Sequence, residues 1–442
     1  MTGSDRDVDA LNALALAGSL LATAEVLAVG RRAGLDPATL VHVLNESSGG
    51  SHASRHPIPE EVLTGRYAMG LPLADAAARV ADLVSRARAA GAITPMVARI
   101  EELLRVAQAR APADADVTRA TALVFAPEPG RAPLAEAAAA SQADLSPVAR
   151  VGFVGLGAMG GKMVARLVAK GIAPVVFDVD AAAVRACVDQ GARAAGSPGA
   201  VAGACDLVLL SLPDAAVVEA VAFGGEGIVA AATPGLIVAD TSSSKADTSR
   251  KVGAALAAKG AHMLDAPVSR GQPAAIAGTL SIMVGGDAAT LARCRPVLDL
   301  LGTDIIHTGP LGTGHVAKGL NNLVNATNVM IAGDTLIVAA KLGLEPRRVL
   351  DALNAGIGAS EVLAKRYPQY VFPRSFDSNF RIGLMHKDAA YGLELAGQTR
   401  TPAVLAATAL QLYALALAEM GPDADNTRAV TLLEGWNGVT LS

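Results

Sequence analysis

The chain has 442 residues, enough for two or three domains, and a net charge of −4, which leaves no basic face for nucleic acid or an anionic membrane. Hydrophobic residues make up 52% but aromatic ones only 3%, so the cores must be built of Ala, Val and Leu, as in helix-rich α/β enzymes. Cys187, Cys205 and Cys294 share no metal spacing and make no disulfide framework, and the seven histidines form no ligand set, so a reducing cytoplasmic setting without metal is expected.

In chain order, the first residues, Met1 to Asp9, are acidic where a secretion signal would be basic. Residues 10–29 are apolar but Ala-rich and carry Glu25, which reads as a buried helix rather than a membrane span. Residues 11–51 then align without a gap on 320–360, at a constant offset of 309. Thirteen of those forty-one positions are identical, among them Leu11, Asn12, Leu14, Gly34, Pro37, Asn45, Gly49 and Ser51. Chance gives roughly three or four in such a composition. Beyond this the match loosens, with Tyr67 facing Phe380 and Asp75 facing Asp388. It returns at the same offset where Asp114-Ala115-Asp116-x-Thr118-Arg119-Ala120 matches Asp423-Ala424-Asp425-x-Thr427-Arg428-Ala429. Both copies have long apolar periodic runs broken at Gly-Leu-Asp/Glu-Pro. An all-α domain over 1–125 is therefore expected to repeat a C-terminal all-α domain over 312–442. Residues 126–149, rich in Pro and Ala without a period, read as a linker.

From 150 to 311 strands alternate with helices, which predicts a mostly parallel sheet covered on both faces. Its first unit is Val151-Gly152-Phe153-Val154 running into Gly155-Leu156-Gly157-Ala158-Met159-Gly160, then a helix, then Pro174-Val175-Val176-Phe177 ending on Asp178. This is the pattern of a dinucleotide site. Gly155 allows the tight turn, Gly157 lets a pyrophosphate reach the backbone, and Gly160 lets helix and strand pack closely. The helix N-terminus turns unpaired N–H groups to the phosphates. Asp178 stands where a carboxylate accepts from the adenosine ribose hydroxyls; with Asp180 beside it and no Arg, NAD fits better than NADP.

Ligands of an open α/β sheet bind beyond the carboxyl ends of its strands. The hydroxyls of Asp240-Thr241-Ser242-Ser243-Ser244 suit a nicotinamide, a substrate carboxylate or a plain helix cap. Asp265-Ala266-Pro267-Val268-Ser269-Arg270-Gly271 opens a second loop. Gly312-Thr313-Gly314-His315-Val316-Ala317-Lys318-Gly319-Leu320-Asn321-Asn322 opens a long helix with Lys318 and Asn322 on one face. His315, one turn before Lys318, has a capping or surface role as its ordinary expectation.

Together these stretches, with Lys387-Asp388, resemble the β-hydroxyacid dehydrogenases, a group that includes 3-hydroxyisobutyrate dehydrogenase and tartronate semialdehyde reductase. The resemblance covers roughly 150–442. It implies a Rossmann-type NAD-binding domain followed by an all-α substrate and dimerisation domain, here preceded by a second all-α domain. It implies interconversion of a small anionic β-hydroxyacid and its semialdehyde by hydride transfer. Lys318 then matches the proton donor and acceptor, with Asn322 on the same substrate. Ser269 and Gly271 match the carboxylate cradle, and Lys387 a neighbouring contact. Ser243 matches a hydroxyl beside the nicotinamide, Leu212-Pro213 the adenosine side, and Phe380 and Asp388 residues that close the site. One departure stands out: Arg270 replaces a glycine. An arginine there suits an anionic or strongly polar far end of the substrate, or else points outward. An imine reductase and a non-catalytic NAD-binding protein are the alternatives, and Lys318 speaks against both. In the N-terminal copy Asp9 and Ala13 stand where Lys318 and Asn322 do, and Ala74 near the place of Lys387. That copy has lost its chemistry, and the chain is expected to be a monomeric pseudo-dimer or a homo-oligomer.

Overall fold

A computed structural model describes residues 3–126 and 148–442, with side chains from Asp5 onward; nearly all of the expected linker lies outside the described residues. The chain forms two compact units, one of helices drawn from both ends of the sequence and one built on the sheet, which ends at Lys318. The division falls inside a continuous helix, Thr313–Lys341.

The sheet has nine strands: β1 (Val151–Val154), β2 (Val175–Phe177), β3 (Arg193–Ala194), β4 (Leu207–Leu210), β5 (Ile237–Asp240), β6 (His262–Asp265), β7 (Val268–Ser269), β8 (Leu280–Gly285) and β9 (Gly302–Gly309). Their order is β3-β2-β1-β4-β5-β6-β8-β7, with β9 beside β8. The first six run parallel. Every residue of β1, β4, β5 and β8 is buried, as strands covered on both faces require. Alternate residues feed two cores, Phe153, Leu209 and Ala239 on one face and Val154, Leu210 and Val238 on the other. The alternating sequence pattern is silent on direction at the far edge, where β8 runs antiparallel to β6 and β7. Pro267, which has no N–H to give a ladder, separates β6 from β7.

The helical unit is a pair of matching halves. Gly3–Arg32 corresponds to Thr313–Lys341, Leu73–Ala89 to Ile382–Gln398, and Pro95–Arg110 to Val404–Met420, at the offset of 309 to within one residue at the ends. Even the isolated bridges repeat, Pro72 with Asp116 and Arg381 with Asp425. This corrects the looser alignment in the middle of the repeat. Tyr67 corresponds to Phe376, both left-handed with φ of 53° and 46°, and not to Phe380. Arg79 stands in the place of Asp388 and Ala78 in that of Lys387.

The halves meet reciprocally. His52 N donates to Ala359 O (2.8 Å), and Glu361 N to Gly50 O (2.9 Å). Gly358 N donates to Asn12 Oδ1 (3.1 Å), and Gly49 N to Asn321 Oδ1 (3.0 Å). Glu25 accepts from Leu405 N and Ala406 N at the start of Val404–Met420, and Asp334 accepts from Met96 N and Val97 N at the start of Pro95–Arg110. Each pair maps onto the other by 309, which is the signature of a two-fold, isologous interface, here inside one chain. Ser51 and Ser360, equivalent to each other, form a bridge on its axis. The two long helices are apolar and long enough to cross a membrane, yet their apolar windows are 100% and 94% buried inside the protein.

Candidate active site

The glycine turn is sterically determined. Gly155 has φ of 94°, and a Cβ on it would strike the Ser211 carbonyl; one on Gly160 would strike the Gly155 carbonyl. A Cβ on Gly157 would meet no atom within 4 Å, and Gly157 and Ala158 are exposed. Gly155 and Gly160 are thus required by the fold, whereas Gly157 opens the backbone to something outside it. Leu156 is buried and Met159 half-buried. Asp178, at the end of β2, accepts from Leu156 N (2.6 Å) and from Asp180 N (2.8 Å). Its carboxylate braces the turn and keeps lone pairs for ribose hydroxyls. Asp180 caps the next helix by accepting from Ala182 N (2.8 Å). These residues fit an NAD: Gly157 would leave room for the pyrophosphate, and Asp178 would accept from the ribose hydroxyls.

The loops after β4 and β5 are tied to each other. Leu212 N donates to Ser242 Oγ (2.9 Å), and Ser242 N to Asp240 Oδ1 (3.0 Å). Ser242 and Ser244 are buried, while Ser243 is half-exposed and Pro213 exposed. Of the serine hydroxyls in this run, that of Ser242 is therefore structural, and Ser243 is the serine that is not buried.

Behind them lies a buried cluster with no assigned role in the motifs. Asp240 and Asp265 are neighbours across β5 and β6. Asp265 accepts from Gly312 N (2.6 Å) and His315 N (2.7 Å), anchoring the start of Thr313–Lys341. His315 Nε2 lies 3.3 Å from Asp240 Oδ2, and neither side chain is exposed. His315 is thus a core residue, not a surface one. Burial opposes its charge, but the hydrogen bond and charge of Asp240, with Asp265, outweigh it and raise the imidazole above its ordinary value. Burial likewise pushes Asp265 up. Asp240 and Asp265 each ended an apolar strand, the one sequence signal that pointed here.

Ser269 is buried on β7, and Arg270 and Gly271 follow with left-handed φ of 78° and 70°. Arg270 Nη1 donates to Asp304 Oδ2 (2.6 Å), Thr303 Oγ1 (3.1 Å) and the Thr279 carbonyl (3.1 Å). One nitrogen of the guanidinium is thus held by a carboxylate at the start of β9, distant in sequence, while the side chain stays partly exposed.

Thr313–Lys341 carries the remaining groups. From Gly312 to Ala339 every residue is buried except Lys318. Asn322, one turn on, is buried and donates from Nδ2 to Asp388 Oδ2 (2.8 Å). Asp388 Oδ1 lies 3.3 Å from Lys387 Nζ, so the sequence-expected set of Asn322, Lys387 and Asp388 is one connected group. Phe380 is half-exposed, and its carbonyl accepts from Asn426 N (2.8 Å) and Nδ2 (2.8 Å).

Residues 150–309 match the family model described as the NAD-binding domain of 6-phosphogluconate dehydrogenase. Residues 3–124 and 312–433 each match the model described as NAD-binding of NADP-dependent 3-hydroxyisobutyrate dehydrogenase. The chain belongs to the β-hydroxyacid dehydrogenase family. It is 34% identical over 293 residues to 2-(hydroxymethyl)glutarate dehydrogenase of Eubacterium barkeri, covering 97% of that protein and 66% of this chain. It is 37% identical over 273 residues to 3-hydroxyisobutyrate dehydrogenase of Pseudomonas aeruginosa, covering 91% of it and 60% of this chain. The solved structure of Mycobacterium tuberculosis 3-hydroxyisobutyrate dehydrogenase with L-serine is similar with a TM-score of 0.61 at 31% identity, over 98% of that chain and 64% of this one. This dehydrogenase therefore contains the length of its relatives almost whole, plus a second copy of the helical domain. It is an NAD(P)-dependent oxidoreductase acting on a CH–OH group, and its residues fit NAD.

Proposed function

We propose that the chain interconverts a 2-substituted 3-hydroxypropanoate and its semialdehyde with NAD, using Lys318 as the proton acceptor and donor. The observation that carries this is the partial exposure of Lys318, the one residue not buried between Gly312 and Ala339. The substrate class follows from chemistry: 2-(hydroxymethyl)glutarate, 3-hydroxyisobutyrate and serine share a primary alcohol on the carbon next to the one bearing the carboxylate. NAD, held by the Gly155–Gly160 turn and Asp178, would supply the acceptor for the hydride of the alcohol carbon. In that direction Lys318 takes the hydroxyl proton, and in reduction its ammonium faces the developing alkoxide and returns the proton. Asn322 donates to the same oxygen from the next turn of the helix. Ser269 and the backbone at Gly271 receive the carboxylate, and Lys387, held by Asp388, adds a positive charge. Ser243 and Leu212-Pro213 border the cofactor, and Phe380 and Asp388 close the site.

With Arg270 engaged by Asp304, the substituent at carbon 2 needs no strong anion. The net charge of −4 supports neither a nucleic-acid nor a membrane partner, and the cell compartment that fits is the cytoplasm. The reciprocal pairing of the two helical copies supports a pseudo-dimer in which residues 1–125 take the place of a partner's helical domain. Initial rates with NAD and with NADP, on 3-hydroxyisobutyrate, L-serine, glycerate and 4-hydroxybutyrate, test the reading. Turnover with NAD on the 3-hydroxypropanoates but not on 4-hydroxybutyrate is expected. A preference for 4-hydroxybutyrate would overturn the substrate class.

A further inference from the structure

The N-terminal copy has lost every chemical group of its twin, with Asp9, Ala13, Ala78 and Arg79 in place of Lys318, Asn322, Lys387 and Asp388. It nevertheless touches the chemistry of the live half at one point. Asn321, fully buried, accepts at Oδ1 from the backbone N–H of Gly49 (3.0 Å). A backbone N–H only donates, so this bond fixes which end of the Asn321 amide is oxygen. Its Nδ2 must then be the donor to Ser48 Oγ (3.1 Å) and to Asn322 Oδ1 (3.2 Å). With its oxygen so pinned, Asn322 presents Nδ2, one hydrogen of which goes to Asp388 Oδ2 (2.8 Å). The other is the donor left for a ligand. A Cβ on Gly49 would stand 2.9 Å from Asn321 Oδ1, so glycine is what permits the close approach.

The symmetry of the unit supplies its own control. On the dead side Asn12 Oδ1 accepts from Gly358 N (3.1 Å), the counterpart of the Asn321–Gly49 bond. There the relay ends on a carbonyl, since Asn12 Nδ2 donates to Val8 O (3.2 Å) and Ala13 offers no amide. The two contacts are equal as interface bonds and unequal in what they lead to.

We infer that the Ser48–Gly49 loop of the N-terminal copy, acting through Asn321, sets the orientation of the Asn322 amide, and that this is a function retained by the degenerate domain. Asn321 is a positioning residue, and the inference rests on the reading of Lys318 and Asn322 as the reacting pair. Asp at position 321 separates interface from relay: a carboxylate still accepts from Gly49 N but cannot donate to Asn322 Oδ1, and it sets two acceptors face to face. The experiment compares Asn321→Asp, Asn12→Asp and Lys318→Ala in the full chain. It measures kcat and KM with NAD and either 3-hydroxyisobutyrate or L-serine, whichever turns over faster, together with NADH affinity and thermal midpoint. Asn321→Asp is expected to lower kcat/KM about 10- to 100-fold, the scale of a misplaced contact at a reacting centre, with NADH affinity kept. Asn12→Asp is expected to shift the thermal midpoint similarly while leaving kcat/KM within about twofold, because Asn12 bonds to Gly358 and Val8 and to none of the reacting residues. Equal losses of activity in the two Asp variants, or none in Asn321→Asp, would overturn the relay while leaving the site standing. Full activity in Lys318→Ala, or no turnover by the unaltered protein, would instead sink the site and the inference together.

Discussion

Asp178 shows how much one side chain can do at a cofactor site. It braces the glycine turn through Leu156 N, and in the proposed function it also accepts from the ribose hydroxyls. Asp178→Ala is expected to raise KM for NAD about 10- to 100-fold, since a hydrogen bond to a charged group contributes roughly 1.5–3 kcal/mol. The same change should narrow the NAD-over-NADP preference, because it removes the charge opposing a 2′-phosphate; initial-rate kinetics with both cofactors check this. A residue such as Asp178 is legible from sequence because its role depends on local spacing after one strand. Arg270 is not, because its meaning lies in Asp304, which no local pattern connects to it. His315 is the same case in reverse: its neighbours Asp240 and Asp265 come from two other strands, so its burial is invisible along the chain.

Among the elements, the reciprocal carboxylates at helix starts set the chemistry of the internal interface. Burial raises Glu25 to about 7 against the lowering effect of backbone N–H groups at Ala406, Leu405 and Val404. Burial raises Asp334 to about 8 against those of Met96 and Val97. Both carboxyls keep their protons to a higher pH folded than unfolded. Their contribution to stability is therefore fully present below the ordinary carboxyl range and falls as pH rises, until about 7 for Glu25 and about 8 for Asp334. The unfolding free energy from urea titration should drop between about pH 4 and 8 by an amount on the order of a few kcal/mol, and the Glu25→Gln, Asp334→Asn double variant should flatten that drop. A profile equally steep in the variant would show that other groups govern it. Sequence pairs Glu25 with Asp334 by the offset of 309 but does not show that each caps a helix of the opposite half.

For the whole molecule, the repeat, the glycine turn and the switch from strands to helices gave the architecture away, because each is written in local periodicity. The direction of β8 and the true register in the middle of the repeat needed contacts between distant segments. Tyr67 and Phe376 share a left-handed backbone but no side-chain identity, so the alignment slipped where a backbone feature, not a residue type, is retained. If the pseudo-dimer replaces a partner, light scattering should give a mass near 44.4 kDa, that of one chain. A mass of twice that would favour pairing between chains. The proposed chemistry turns on Lys318, and the most direct measurement is the steady-state rate of Lys318→Ala at saturating NAD beside its NADH affinity. A fall in kcat of about 10²- to 10⁴-fold, the range of general acid–base catalysis, with NADH affinity unchanged, is the expected result. A variant that turns over as fast as the unaltered protein would contradict it.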